Sequence, residues 1–303
     1  MNIDTSALPA PMPSALPACP DGGAEAAHPP TPRTSPWRLR RLRHRRHAAW
    51  ALSTLLALAL FALWPELDLL ISRTLMEAAG PGSARFAFGE WPPVRWVYWA
   101  VPSIGRAAFL GCLALICVPA LRRSRHAGLT RWRGRAPLIL LVLVVGLWWV
   151  VNAGFKEHWG RPRPMQVQEL GGDVPFRAIT QPSSLCSSNC SFPTGHAATG
   201  FALMAAGLRA PAWRRRRWAW AGLGCGLLIG LGRMVQGGHF ASDVVFAGLM
   251  IWGISLAVQR AAVVWRRRAV SRPARPAPAR PRTAAPSDRR PSHDLGAAVG
   301  RTL

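Results

Sequence analysis

The sequence predicts an all-α fold, a polytopic membrane protein whose six transmembrane helices form a bundle. Three observations carry this reading. Half of the 303 residues are hydrophobic and 38 Lys and Arg stand against 13 Asp and Glu, a composition that does not suit one soluble core. Apolar runs of membrane-spanning length alternate with arginine clusters. When the runs are threaded alternately through a bilayer, every block of three or more arginines falls on one side. Topology therefore explains the net charge of +25, because basic residues are retained on the cytoplasmic side, where anionic lipid attracts them. Nucleic acid is not an expected partner, since no folded recognition module accompanies the basic segments.

Residues 1 to about 36 are rich in Pro, Ala, Gly and Ser and lack hydrophobic periodicity. With the block Arg38, Arg40, Arg41, Arg43, Arg45 and Arg46 they make up an expected disordered cytoplasmic tail, 1–47. The first span, 48–64, has Trp50 and Trp64 near its ends. It resembles the charged and apolar parts of a signal peptide but begins far from Met1 and has no persuasive cleavage site, so it reads as a retained span. Residues 65–97 place Glu66, Asp68 and Glu77 ahead of Trp91, Trp96 and Trp99, which suits an outer loop leading to an aromatic interface belt. The second span, 101–121, carries Arg106 near its outer end, expected to reach for headgroups. Arg122, Arg123, Arg125, Arg131, Arg133 and Arg135 then face the cytoplasm. The third span, 137–155, is the most apolar stretch and leads to a polar segment, 156–193.

The fourth span, 194–208, ends at Arg209 and the run Arg214 to Arg217. In the fifth, 218–232, Gly222, Gly224, Gly226, Gly230 and Gly232 permit close helix packing. The sixth, 239–265, returns to Arg266, Arg267 and Arg268, and 266–303 is an Arg- and Pro-rich tail expected to be disordered and cytoplasmic. The working domain is thus 48–265. Cys112, Cys117 and Cys225 lie in apolar runs and read as small buried hydrophobes. Cys186 and Cys190 share an outer loop where an oxidising compartment permits a disulfide, with two free thiols as the alternative.

Three clusters carry chemistry. In Pro193-Thr194-Gly195-His196, Thr194 can cap the helix that follows. The amides of Gly195 and His196 then point from its positive end, where phosphate groups bind, and His196 sits beside them as a proton donor. The segment 156–164 places Lys156 and Arg163 at an outer face where the charge rule does not favour them. Either they meet an anionic partner or they snorkel to lipid headgroups. In the third cluster, 232–243, His239 and Asp243 share one helical face, so the carboxylate can accept the imidazole Nδ1 proton and leave Nε2 as a nucleophile or base. A structural His–Asp pair between helices is the alternative. All three clusters fall on one membrane face, and that orientation comes from arginines belonging to none of them. Together they hold three cations, Lys156, Arg163 and Arg233, with two histidines and a helix N-terminus, enough to bind a phosphate dianion, attack its phosphorus and protonate the departing oxygen. They lack the carboxylate cluster of a magnesium-dependent phosphatase, so no metal or other cofactor is expected.

Lys156 with six residues before Arg163-Pro164, then Pro193-Thr194-Gly195-His196, then Arg233 with five residues before His239 and three before Asp243, resembles the type 2 phosphatidic acid phosphatase superfamily, which also includes vanadium-dependent haloperoxidases. The likeness, closest to bacterial membrane lipid phosphatases, covers about residues 48–265. It implies that His239 is the nucleophile forming a phosphohistidine, that Asp243 orients it and that His196 is the general acid. It further implies that Lys156, Arg163, Arg233, Thr194 and Gly195 hold the phosphate oxygens. Thr194 stands where the family usually has serine, and Gly232 where serine often precedes the arginine, so Gly232 is given no role. The implied partners are membrane lipids and a lipid phosphate substrate: lipid A, undecaprenyl diphosphate, phosphatidic acid or phosphatidylglycerol phosphate. The lead Asn189-Cys190-Ser191-Phe192 is similar to bacterial lipid A phosphatases. A haloperoxidase-like enzyme and a non-catalytic binder of anionic lipid are the rival readings; oligomeric state leaves no signal in the sequence.

The implied location is a bacterial inner membrane, with the active site on the periplasmic face and both termini cytoplasmic. A periplasm-active reporter fused at Ser183 is expected to work and one fused after Arg268 to stay silent; the reverse pattern overturns the topology.

Overall fold

In a computed structural model of the chain, residues 36–78, 80 and 85–270 are described; most of both expected disordered tails lies outside the described residues. Two compact units are distinguished, one ending at Arg46 and one beginning at His47, and the second holds everything below from His47 onward. Helix α1 runs Pro36–Leu63, so the arginine block expected in an unstructured tail is helical. Arginine is a good helix former, and the apolar run beyond gives the helix a nucleus to extend from. Next come α2, Glu66–Glu77, and α3, Pro92–Cys117, which starts nine residues before the expected span.

The short helices α4, Pro119–Arg123, and α5, Ala127–Arg133, turn the chain at the arginine-rich end. Helix α6, Ala136–Leu141, continues as a π-wound stretch, Val142–Lys156. After the polar loop come α7, Gly195–Phe201, with a 3-10 extension Ala202–Gly207, then α8, Ala212–Val235, and α9, Ala241–Val270. Among the described residues there is no strand, only an isolated bridge between Val167 and Val174. Five segments are long and apolar enough to cross a membrane: His44–Leu63, Pro92–Cys117, Ala127–Lys156, Ala212–Val235 and Ala241–Ala269. The expected fourth span is not among them. Its helix, Gly195 to Gly207, is shorter than the ~20 residues a lipid-exposed helix needs.

That short element is the core of the bundle. Ala197, Ala198, Phe201, Ala202 and Ala205 are buried against Val142, Leu143 and Val151 of the π-wound stretch and against Val244, Ala247 and Ile251 of α9. On α8, glycines spaced by four residues admit it. A Cβ on Gly222 would lie 2.7 Å from the Met204 amide nitrogen, one on Gly226 2.3 Å from the Phe201 ring, and one on Gly230 2.4 Å from Val244. Such small-residue stripes let helix backbones approach closely. Gly224 and Gly232, expected to share this task, face away: a Cβ on Gly224 meets nothing within 4 Å, and one on Gly232 only Val94, at 3.9 Å. Of the three apolar-run cysteines, Cys112 is buried while Cys117 is exposed.

The loop 157–193 folds tightly over one end of the bundle. Gly160 has φ +67°, and a Cβ there would overlap the Ser183 carbonyl, so only glycine fits. Trp159 donates from Nε1 to the Ile179 carbonyl (3.0 Å) and packs with Phe155 and Phe192. Cys186 and Cys190 are joined by a disulfide. The backbone bond from Met165 to the Gly237 carbonyl (3.1 Å) ties this loop to the turn before α9.

Gly226→Ala forces a methyl group into the Phe201 ring and is expected to destabilise the protein by about 1–3 kcal/mol. Gly224→Ala is expected to leave stability unchanged. Thermal unfolding of the two variants in detergent measures the contrast, and equal melting temperatures refute the packing described.

Candidate active site

The site forms where the C-terminal ends of the π-wound stretch and of α8 meet the N-terminal ends of α7 and α9. Thr194 caps α7, its hydroxyl accepting from the Ala197 amide (3.5 Å), and its own amide reaches the Asp243 carbonyl oxygen (3.5 Å). Gly195 opens the helix against Asn152, whose Oδ1 would lie 2.7 Å from a Cβ at this position. The Cys190 amide donates to the Lys156 carbonyl (3.3 Å), so the lead into Pro193-Thr194-Gly195-His196 rests on the start of the segment 156–164.

His239 is 1% exposed. Its Nδ1 donates to the backbone carbonyl of Ser191 at 2.6 Å, while the Asp243 carboxylate stands at 3.7 Å. The expected His–Asp pair is present but longer than a hydrogen bond, and the carbonyl is the nearer acceptor. A carbonyl can only accept, so the proton sits on Nδ1 and the Nε2 lone pair is free. Nε2 is buried and has no hydrogen-bond partner among the described residues. Burial holds the imidazole pKa well below its ordinary value, which keeps the ring neutral.

Asp243 is instead the hub of a buried ion network. It accepts from Arg161 Nη1 (2.6 Å), from the Ser191 hydroxyl and from the Phe240 amide (2.8 Å). Arg161 is 0% exposed and spends every nitrogen: Nη1 also donates to Ser242 Oγ (2.8 Å), Nη2 to Asp68 (2.8 Å) and Nε to the Arg177 carbonyl (2.9 Å). Its guanidinium lies over the Phe240 ring at 4.3 Å. Asp68 also receives the Ser242 amide (2.9 Å) and hydroxyl. Two carboxylates therefore sit at the N-terminus of α9, where the helix dipole favours negative charge. Burial pushes the Asp68 carboxyl up from its usual range against the pull of Arg161. Burial alone would lower the Arg161 pKa, but Asp243 and Asp68 more than offset it and keep the guanidinium charged.

The expected anion-binding cations converge here. Lys156 and Arg233 are each 8% exposed, and Arg163 is half-buried with Nη2 on the Asn189 carbonyl (2.8 Å). The charges of all three act on His196, and those of Lys156 and Arg233 act on His239. Arg233 bonds Gln236, lies over the Tyr98 ring at 4.6 Å and keeps a buried Nε with no partner among the described residues. Half-buried His196 stacks on the same Tyr98 ring at 4.9 Å and donates from Nε2 to the Tyr98 carbonyl (3.2 Å). Cations and a proton carrier thus surround an unpartnered nitrogen lone pair, an arrangement suited to attack on a bound oxyanion.

Every residue expected at the site is found at this end of the bundle, together with Asp68, Arg161, Ser191 and Tyr98, to which the sequence reading gave no role. Arg161 stands inside the segment 156–164, where a third cation in an already positive stretch was the available signal. Asp68 lies on α2, in a segment expected to be an outer loop and carrying no motif, and Ser191 acts in part through its main chain, which leaves no trace in residue type.

Residues 137–269 match the PAP2 superfamily. A lipid A 4'-phosphatase of Francisella tularensis subsp. novicida (strain U112) is 42% identical over 123 residues, which cover 40% of this chain and 55% of that protein. A lipid A 4'-phosphatase of Rhizobium leguminosarum is 37% identical over 107 residues, 35% of this chain and 46% of that protein. A third, from Rhizobium etli (strain ATCC 51251 / DSM 11541 / JCM 21823 / NBRC 15573 / CFN 42), is 28% identical over 211 residues, 66% of this chain and 79% of that protein. The chain spans about half the length of the first two relatives. No solved structure matches it significantly.

Arg161→Met leaves two buried carboxylates without their cation, and the expected loss of stability is about 3–5 kcal/mol. An unchanged unfolding temperature in detergent overturns the network as described.

Proposed function

We propose that this chain, whose residues 137–269 form a PAP2 superfamily domain, is an integral membrane phosphatase that removes a phosphate monoester from lipid A or a closely similar glycolipid. The observation that carries the reading is His239: buried, neutral, its proton fixed on Nδ1 by the Ser191 carbonyl, its Nε2 unpartnered beside Lys156 and Arg233.

In the first half-reaction Nε2 attacks phosphorus, a phosphohistidine forms and the P–O bond to the lipid breaks. Lys156, Arg163 and Arg233 hold the non-bridging oxygens with the Thr194 hydroxyl and the Gly195 amide, and His196 gives a proton to the departing lipid oxygen. Asp243 stabilises the charge that the His239 ring gains on attack. In the second half-reaction water gives a proton to His196 and attacks phosphorus, the P–N bond breaks and inorganic phosphate leaves.

A lipid substrate is favoured by a cleft of ≈ 510 Å³ between α3 and the π-wound stretch. Val101, Phe109, Leu110, Leu143 and Leu147 line its length, and Lys156, Gly195 and His196 also line it. A chain lying there would keep its phosphate at the site. The names of the three relatives favour lipid A within that class.

The chain crosses the membrane six times in this reading. The π-wound stretch ends at the site and α8 begins with Arg214 to Arg217, so the short α7 and its extension must carry the chain back across, shielded from lipid by the helices around it. Both termini then lie in the cytoplasm and the site faces the periplasm of the inner membrane. The disulfide in the site's own loop fits an oxidising compartment.

Purified protein offered lipid A, phosphatidic acid, undecaprenyl diphosphate, phosphatidylglycerol phosphate and glucose 6-phosphate is expected to show the highest kcat/KM on lipid A. Activity should persist in chelator and be inhibited by vanadate. His239→Ala is expected to fall to background, because the covalent pathway is removed, and His196→Ala to lose roughly 10²–10⁴-fold. Undiminished phosphate release from His239→Ala would sink the mechanism, and a preference for glucose 6-phosphate would sink the lipid assignment.

A further inference from the structure

A second cavity, of ≈ 360 Å³, lies at the arginine-rich end of the bundle between α5, the start of α6 and the start of α8. Arg131, Arg135, Arg214 and Arg217 line it. Trp132 and Trp218 meet edge to face at 5.9 Å, and the guanidinium of Arg214 lies over Trp213 at 4.7 Å. Retention of arginines on one membrane side predicts solvated side chains, but Arg135 is 5% exposed. Its guanidinium lies 5.4 Å from the Trp132 ring centroid. Among the described residues it has neither a carboxylate nor a hydrogen-bond acceptor, and the like charges of Arg131 and Arg214 act on it. A buried cation without a counter-ion is expensive, and around buried Arg135 stand half-buried Arg214 and exposed Arg131 and Arg217, with no acid among the residues that line the cavity.

We propose that this cavity binds the phosphate headgroup of an anionic glycerophospholipid from the leaflet opposite the catalytic face. Planar guanidinium groups match phosphate oxygens two at a time, and tryptophan favours the depth at which headgroups meet acyl chains. Basic pockets between transmembrane helices suit such headgroups. Arg214 and Arg233 are nineteen residues apart on α8, roughly 28 Å along its axis, so a lipid held here cannot be the one undergoing hydrolysis.

The test is native mass spectrometry of the full chain in neutral detergent, titrated with phosphatidylglycerol, with phosphatidylcholine, and with inorganic phosphate as competitor. Wild type is expected to retain one phosphatidylglycerol saturably, to release phosphatidylcholine, and to keep its lipid in the presence of phosphate. Arg135→Gln/Arg214→Gln should weaken retention at least about tenfold, two favourable charge contacts being removed. Arg122→Gln/Arg123→Gln, which removes two exposed charges outside the cavity, should retain lipid as wild type does. If the first pair fails to fold, Arg214→Gln/Arg217→Gln carries the same expectation. Equal retention of the two lipids, an equal loss in the Arg122/Arg123 pair, or displacement by inorganic phosphate each overturns the proposal, the last by assigning the cavity to a free anion.

Discussion

The structure of the site depends on one buried cation. Arg161 joins Asp68 of α2 to Asp243 of α9 and also holds Ser242 and the Arg177 carbonyl, so three other stretches of chain converge on one guanidinium. Without it, two carboxylates would face each other in an interior that cannot solvate them. With it, the first turn of α9 is fixed, and the position of His239 follows. The carboxylate beside His239 thus answers to a positive charge that is wholly buried.

The central helix works under a different constraint. Because α7 is enclosed by the π-wound stretch, α8 and α9, its sides are small and its length is not set by lipid. Glycines at 222, 226 and 230 let α8 lie almost backbone to backbone against the 195–207 helix and α9. Close approach in turn brings the capped end of α7, with His196, next to the end of α8, with Arg233, and the single ring of Tyr98 meets both. Packing chosen by the smallest residues in the chain thereby sets the distance between His196 and Arg233.

Much of this was legible beforehand. The helical class, the arginine asymmetry and the three clusters that the fold brings to one end of the bundle could be read because each depends on residue type and local spacing. Span limits drifted where composition is a blunt guide: α3 starts at Pro92 among tryptophans that suit either a loop or an interface, and 194–208 is apolar enough to pass for a spanning helix. What stayed hidden was interaction between distant parts of the chain. Asp68 and Arg161 are 93 residues apart and look like ordinary loop charges until folding brings them together. The acceptor for His239 Nδ1 is a main-chain oxygen, which any residue at 191 would supply.

The Asp68–Arg161 bond also bears on what counts as a self-sufficient unit. The segment that matches the PAP2 superfamily, 137–269, contains His196, His239, Asp243, Lys156, Arg163 and Arg233. A boundary drawn by similarity at residue 137 nevertheless cuts off Asp68, which neutralises half of the buried charge pattern, and Tyr98, which supports His196 and Arg233. The chemistry is thus concentrated in one stretch of sequence while its electrostatic foundation is supplied by another. The stretch before residue 137 is free to vary in sequence only so long as something in it still presents an acid to Arg161 and a flat ring to the site, and in that sense the recognisable domain is a part that borrows its completeness from its neighbour.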